Sequence, residues 1–276
     1  MKQNPKTTLR LALLLCLILA VQALPSLAEE SLSSLARSTK VVFLGENHAS
    51  VSDHKGQLQA LQVLADATDS PLIVAAEMFN ATSVAELKVF ADSANFSDFP
   101  EPFWKDQWGH SFDLYRDIFR WIKEQNHTLT YLRPDPADTK KVRENGALAA
   151  ISQVEEFFLG PRAYRTHMAE IAAVHMPEGV EPSEEMVDSY FLIQCFWDEF
   201  MSWRLARLVQ DNPHSLIVVL VGHGHLSRSF GIPQRLERRV PDLKTLTVGF
   251  SQEEDWAPDF VFQGPSKALE PASQHP

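Results

Sequence analysis

Apolar and polar positions alternate along the chain in two distinct rhythms. Short apolar runs occur at Val41–Leu44, Leu72–Ala76, Thr128–Leu132, Leu216–Val221 and Leu246–Phe250. Such runs, bounded by polar or turn-forming residues and rich in β-branched side chains, predict buried strands. Between them the period lengthens: Leu58, Leu61 and Leu64 mark one helix face, and Phe112, Tyr115, Ile118, Phe119 and Ile122 mark another. Near-continuously apolar strands alternating with helices predict an α/β protein, with a mainly parallel sheet flanked by helices.

The alternation breaks once. From Thr139 to Asp211 no strand pattern appears, and the last helical stretch carries Tyr190, Ile193, Trp197, Phe200, Met201, Leu205 and Leu208 before "DNP" stops it at Pro213. This reads as a helical insertion, 139–211, between the third and fourth strands. The Phe and Trp residues of these helices are expected in the core.

The ends of the chain carry different signals. Lys2, Lys6 and Arg10 precede an apolar stretch, Leu11 to Leu24, and Ser26-Leu27-Ala28 supplies the small residues that signal peptidase reads. A signal peptide is therefore expected over residues 1–28, with a domain over 29–263. The apolar stretch, roughly 14 residues, falls short of the ~20 that cross a bilayer. Export across the inner membrane to the periplasm is the expectation. Cys16 follows Leu15 where a lipoprotein signal calls for a small residue, so an outer-membrane lipoprotein is the less favoured reading. The closing "GPSKALEPASQHP", 264–276, is read as a disordered tail.

Composition narrows the function classes. The net charge of -11 becomes -14 once the three cations of the leader are removed, which argues against nucleic acid as a partner. Cys195 is then the one cysteine left, so no internal disulfide can form.

Candidate chemistry sits just past the strands. In parallel sheets ligands bind beyond the strands' carboxyl ends, where loops and helix N-termini share a crevice. The first run is followed by Gly45, Glu46, Asn47 and His48, the second by Glu77 and Met78, and the fourth by Gly222-His223-Gly224-His225. Parallel strands would bring His48, Glu77, His223 and His225 to one rim. Plainer roles exist for each: His48 beside the helix-capping Ser50, Ser52 and Asp53, Gly222 and Gly224 in a tight turn with His223 in solvent, and His54 pointing outward. Gln194 and Asp198, four apart on one helix, read as a solvated pair. A carboxylate at Glu77, after five apolar residues, is costly without a partner.

The segments "VFLGENHASVSDHKGQLQAL", "IVAAEMF", "QCFWDEFM" and "VVLVGHGHLSRSFGIPQRLERR" resemble the ChaN-like haem-binding proteins, within the wider group of Tiki/TraB proteins and erythromycin esterases. The resemblance runs in order over most of the chain. It implies that His48, Glu77 and His225 occupy the central site, with Glu46 and His54 flanking it. Asp198 and Met201 match a "D-x-x-M" motif, and Gly231-Ile232-Pro233 another. Leu132-Arg133-Pro134-Asp135 departs from the family pattern after the third strand.

Two functions emerge as expectations. The resemblance implies haem capture for iron uptake. Haem needs an axial ligand, for which Tyr164 and Tyr190 are the candidates, with His54 and Asp198 as further cofactor-binding residues. It also needs a slot, for which Phe157, Phe158, Phe191, Trp197 and Arg162 or Arg165 are available. The alternative is a hydrolase, an esterase or protease. In one form His48, Glu77 and His225 hold a divalent metal such as zinc, with Glu46 as general base. In the other, without metal, Glu77 orients His48 to deprotonate water. Self-pairing into a homodimer and peripheral attachment to a membrane remain open. Nucleotide binding lacks support, since no Lys follows "GHGH" and no Gly-x-Gly-x-x-Gly follows the first strand.

Overall fold

The computed structural model describes residues 26–263 except 94–95, 97–103, 106, 147–148, 150–153, 155, 175, 178, 228 and 252–255. The expected leader up to residue 25 and the expected tail from 264 lie outside the described residues. The strands are β1 (Val41–Glu46), β2 (Ile73–Asn80), β3 (Thr128–Arg133), β4 (Ile217–Gly222), β5 (Thr245–Gly249) and β6 (Phe260–Val261). They form one sheet in the order β3-β2-β4-β1-β5-β6, parallel at every pairing. The helices are α1 (Leu27–Ala36), α2 (Val51–Asp66), α3 (Val84–Asp92), α4 (Arg116–Glu124), α5 (Pro136–Asn145), α6 (Arg162–Val174), α7 (Glu184–Asp211) and α8 (Ile232–Arg239). Among the described residues no helix is long and apolar enough to cross a membrane.

Both sheet faces are dry, because successive side chains of each strand point to opposite sides. Val42, Leu44, Val74, Ala76, Val218 and Leu220 pack with Leu61 and Leu64 of α2 and Ile118 and Phe119 of α4. Their neighbours Val41, Phe43, Ile73, Ala75, Ile217 and Val219 pack with Leu205 and Leu208 of α7 and Ile232 and Leu236 of α8. The C-terminal half of α7 is therefore the sheet's own cover, and only its N-terminal half stands away with α6. Periodicity could not show this, since one continuous helix serves both purposes.

Strand lengths differ from the sequence expectation in one consequential way. Run length placed Glu77 after the second strand, whereas β2 continues through it to Asn80. A carboxylate inside a buried strand stays in register only because its partners come from neighbouring elements. The short β6, with too few apolar positions to make a pattern, was not expected at all.

A buried ionic cluster docks α8 on α7. Arg235 is fully buried; its Nη1 pairs with Glu199 Oε1 at 2.5 Å, and Arg238 and Arg239 converge on the same carboxylate. Removing one partner of a buried pair strands the other charge in low dielectric. Glu199→Leu is therefore expected to cost about 3–5 kcal/mol, read as a lowered urea midpoint; a change within experimental error would show that the cluster does not hold α8.

Candidate functional site

Parallel registry aligns the carboxyl ends of the central strands, with Glu46 opposite Gly222 across β1 and β4. Glu77 on β2, Arg133 closing β3, and the turn His223–His225 after β4 reach the same rim. Glu46, Glu77, His225 and Asp198 are all buried, while His48 retains 30% side-chain exposure.

Glu46 is held on every side. Its Oε1 accepts from the Tyr115 hydroxyl at 2.6 Å and from His48 Nδ1 at 2.8 Å, and its Oε2 accepts from Gln57 Nε2 at 2.7 Å. The general-base role expected for Glu46 is thereby corrected: it is buried with three hydrogen bonds already on its oxygens, and it fixes the His48 ring. The expectation that Glu77 orients His48 is corrected by the same bond. With Nδ1 as donor, Nε2 of His48 is the basic nitrogen, and its ring edge lies so close to Gly222 that a Cβ there would stand 2.7 Å from it. Glycine at 222 is what lets the imidazole in. Burial lowers the His48 pKa, but the hydrogen bond it donates to Glu46 and the charge of Glu77 outweigh that, and the net shift is upward.

Glu77 takes a backbone N–H from Gly222 on Oε2 at 2.7 Å and faces His225 Nε2 from Oε1 at 3.5 Å. The other His225 nitrogen, Nδ1, meets Asp198 Oδ1 at 2.5 Å. An imidazole between two carboxylates is favoured in its protonated form. Burial alone would lower the His225 pKa; Glu77 and Asp198 override it and push it up to about 10. The Glu77 pKa is driven down, against its burial, by the adjacent His225 cation.

The expected metal set, His48, Glu77 and His225, does not fit this donor chemistry. Glu77 Oε2 is taken by the Gly222 N–H, and His225 Nδ1 by Asp198. Among the described residues no group of three or more His, Cys, Asp or Glu side chains converges to hold a metal.

The remaining expected residues fall differently. His54 does not point outward: it is buried, with Nε2 at 3.2 Å from the His48 carbonyl and Nδ1 at 3.2 Å from Gln57, and so props the loop. Asp198 and Gln194 are not a solvated pair, since both contact His225 Nδ1. Tyr164 is corrected as an axial ligand. It is fully buried, its hydroxyl donates to Asp198 at 2.6 Å, and burial with that carboxylate raises its pKa well above the ordinary phenol range. Tyr190, on the outer half of α7, is 46% exposed. Of the expected slot, Phe158 lies under Arg235 and Arg238, Phe191 packs edge-on against Tyr164, and Arg165 is paired with Glu184 and Asp188. Phe158 and Arg165 are thus committed elsewhere, while Phe157 and Phe191 pack in one cluster around Tyr164. Trp197 does reach the rim, stacked on His225 at an 18° interplanar angle.

Sequence reading missed several contributors. Arg133 lies over Trp108 at 4.8 Å and over Trp197 at 5.5 Å, with Nη2 donating to the Gln107 carbonyl. The rule that found Glu46, applied to the residue closing the third strand, would have found it. Tyr115, Gln57 and Trp108 carried no such signal, for helix periodicity marks them only as core or polar positions.

Beside the rim lies a second feature. His223 Nδ1 donates to the Glu46 carbonyl at 3.0 Å, and its ring lies nearly parallel to Trp256. Trp256 packs over Gly45, where a Cβ would stand 2.7 Å from the indole. These groups, with His167, Ile171 and Phe230, line a cleft of about 440 Å³ between α6 and the turn after β4.

The family model described as haem-binding uptake, Tiki superfamily, ChaN matches residues 32–236. A solved structure from Campylobacter jejuni, described as cofacial haem binding to ChaN, superposes with a TM-score of 0.70 at 18% identity, covering 85% of this chain and 92% of that one. An erythromycin esterase, EreC, in its open conformation superposes with a TM-score of 0.48 at 14% identity, over 80% of this chain and 72% of that one. No curated protein matches the chain.

The His225 pair makes a testable statement about pH. A histidine that titrates near 6.5 when unfolded and near 10 when folded binds more protons in the folded state across that interval. Its stabilisation is complete below the lower value and is lost as pH rises toward the higher. The Tm gap between the protein and its His225→Gln variant is therefore expected to be constant below pH 6.5 and to shrink steadily up to pH 10. A gap that stays level over that interval would show that His225 is neutral.

Proposed function

The chain belongs to the ChaN family of haem-binding uptake proteins within the Tiki superfamily, and on that premise we propose that it binds haem for iron uptake after export across the inner membrane. The observation carrying this reading is the family match, which runs from α1 into α8 and so takes in the whole rim. The residues beside the rim suit such a ligand. Haem iron takes an axial nitrogen or oxygen donor and its macrocycle an apolar seat; the cleft offers imidazoles at His167 and His223 among Ile171, Phe230 and Trp256. Its volume falls within the range of about 300–1,000 Å³ usual for small-molecule and cofactor sites. Haem binding in the C. jejuni relative is described as cofacial, and pairing of two copies on haem loading is part of the proposal.

One observation favours a second reading, metal-free ester or peptide hydrolysis. Glu46 fixes the tautomer of His48 and leaves Nε2, on the one partly exposed histidine of the pair, free to accept a proton. In that reaction His48 Nε2 takes a proton from water as the oxygen adds to the carbonyl carbon. Collapse of the tetrahedral adduct then breaks the bond to the leaving group, which takes the proton back. Haem binding remains the preferred reading because the family description names it.

Two measurements test these readings. Titration of the purified full chain with hemin is expected to move the Soret band and saturate at one haem per chain; an unshifted band at stoichiometric concentrations overturns haem binding. Any ester turnover by the protein is expected to fall by about 10²–10⁴-fold in His48→Ala; turnover equal to that of the parent removes His48 as the base.

A further inference from the structure

We propose that the rim holds a separate ligand site, in which Arg133 binds the carboxylate of a small molecule whose apolar body rests against Trp108 and Trp197. Such a site needs neither the cleft beside α6 nor iron. A cation drawn out of water is costly unless an opposite charge lies beside it. Arg235 shows the usual solution, with Glu199 against its guanidinium. Arg133 does not follow it. Among the described residues it has no carboxylate partner, and its hydrogen bonds run from Nη2 to the neutral carbonyls of Met78 and Gln107. Its Nε is buried without a hydrogen-bond partner, and Nη1 makes no hydrogen bond among the described residues. The guanidinium thus has more N–H donors than these two carbonyls satisfy. Burial pushes its pKa down, which is the cost of the missing partner. The side chain is only half-buried, so a partner can reach it from the mouth of the rim.

The surroundings set the class of that partner. The guanidinium lies 4.8 Å from the Trp108 ring centre and 5.5 Å from that of Trp197. Both indoles are pinned: Trp108 Nε1 donates to the Tyr115 hydroxyl at 3.2 Å, and Trp197 Nε1 to Thr139 Oγ1 at 3.1 Å. His48 meets the Trp108 ring edge-on at 4.9 Å, and Trp197 stacks on His225. Arg133 is therefore joined to both histidines through apolar ring surface. The buried charge of Glu77 acts on His48, His225 and Arg133 alike, so it repels a dianion more than a monoanion. A carboxylate accepting from Nη1 makes a charge-assisted hydrogen bond, while an aromatic or aliphatic body covers the indoles. Arg133 also stands where the sequence departs from the family pattern, so the site is a feature of this chain and not of the shared rim.

The test uses the full chain without haem and follows the tryptophan indole N–H signals by NMR at constant ionic strength, with Trp108 and Trp197 assigned by replacement with Phe. Benzoate is expected to shift both signals saturably, and benzamide, its uncharged counterpart, to leave them in place. Arg133→Met is expected to weaken benzoate binding at least about tenfold, the worth of one charge-assisted hydrogen bond. Because benzamide is read on the unmutated protein, the need for charge is tested even if the Met variant folds poorly. Unmoved signals with benzoate, an equal response to benzamide, or parental benzoate affinity in Arg133→Met each overturns the site. Inorganic phosphate binding there more tightly than benzoate overturns the carboxylate class.

Discussion

Three carboxylates, Glu46, Glu77 and Asp198, are buried at one end of a parallel sheet, and the arrangement around them is dictated by the need to compensate their charge. Withdrawing an ion from water costs several kcal/mol even after the protein relaxes. A carboxylate in such a place must collect hydrogen bonds or a cation, or take up a proton. Tyr115, Gln57 and His48 serve Glu46; Gly222 and His225 serve Glu77; His225 and Tyr164 serve Asp198. His225 is shared by two of the three, which makes it the pivot that ties β2, the turn after β4, and α7 into one unit.

That compensation decides what chemistry the rim can perform. Histidines spaced along a sequence look like metal ligands, yet here carboxylates engage them: Glu46 at His48, Glu77 and Asp198 at His225. His48 and His225 accordingly differ: His225 has a carboxylate at each nitrogen, which favours its protonated form, while His48 is held at Nδ1 alone. His223 differs again, since its partner is a neutral backbone carbonyl. The backbone of β1 links the regions, because Glu46 holds His48 through its side chain and His223 through its main chain. Gly45, adjacent to it, admits the indole of Trp256 that flanks the cleft. A disturbance at the start of the rim would therefore reach the cleft through covalent neighbours.

The fold was legible in the sequence to the extent that periodicity encodes burial. Val41–Leu44 and Leu216–Val221 are apolar on both faces because both faces are covered, and that alone implied parallel strands and a shared rim. Glu46, His48, Glu77 and His225 stood out as the polar residues at the carboxyl ends of apolar runs, a criterion that rests on the polarity of parallel sheets. Arg133 meets the same criterion at the end of β3. The criterion failed by a few positions at Glu77, because a strand's end is set by where its neighbours stop hydrogen bonding and not by where its apolar run stops.

Roles were another matter. Residue types and order along the chain determined that this is a parallel α/β protein with carboxylates and imidazoles gathered at one end, because alternation and run length report which surfaces must avoid water. Only the tertiary structure decided which nitrogen meets which oxygen: Glu46 rather than Glu77 on His48, Asp198 on His225, Tyr164 buried and committed. Such pairings depend on ångström-scale distances between groups up to 177 residues apart, as from Glu46 to His223, and no local pattern carries that information.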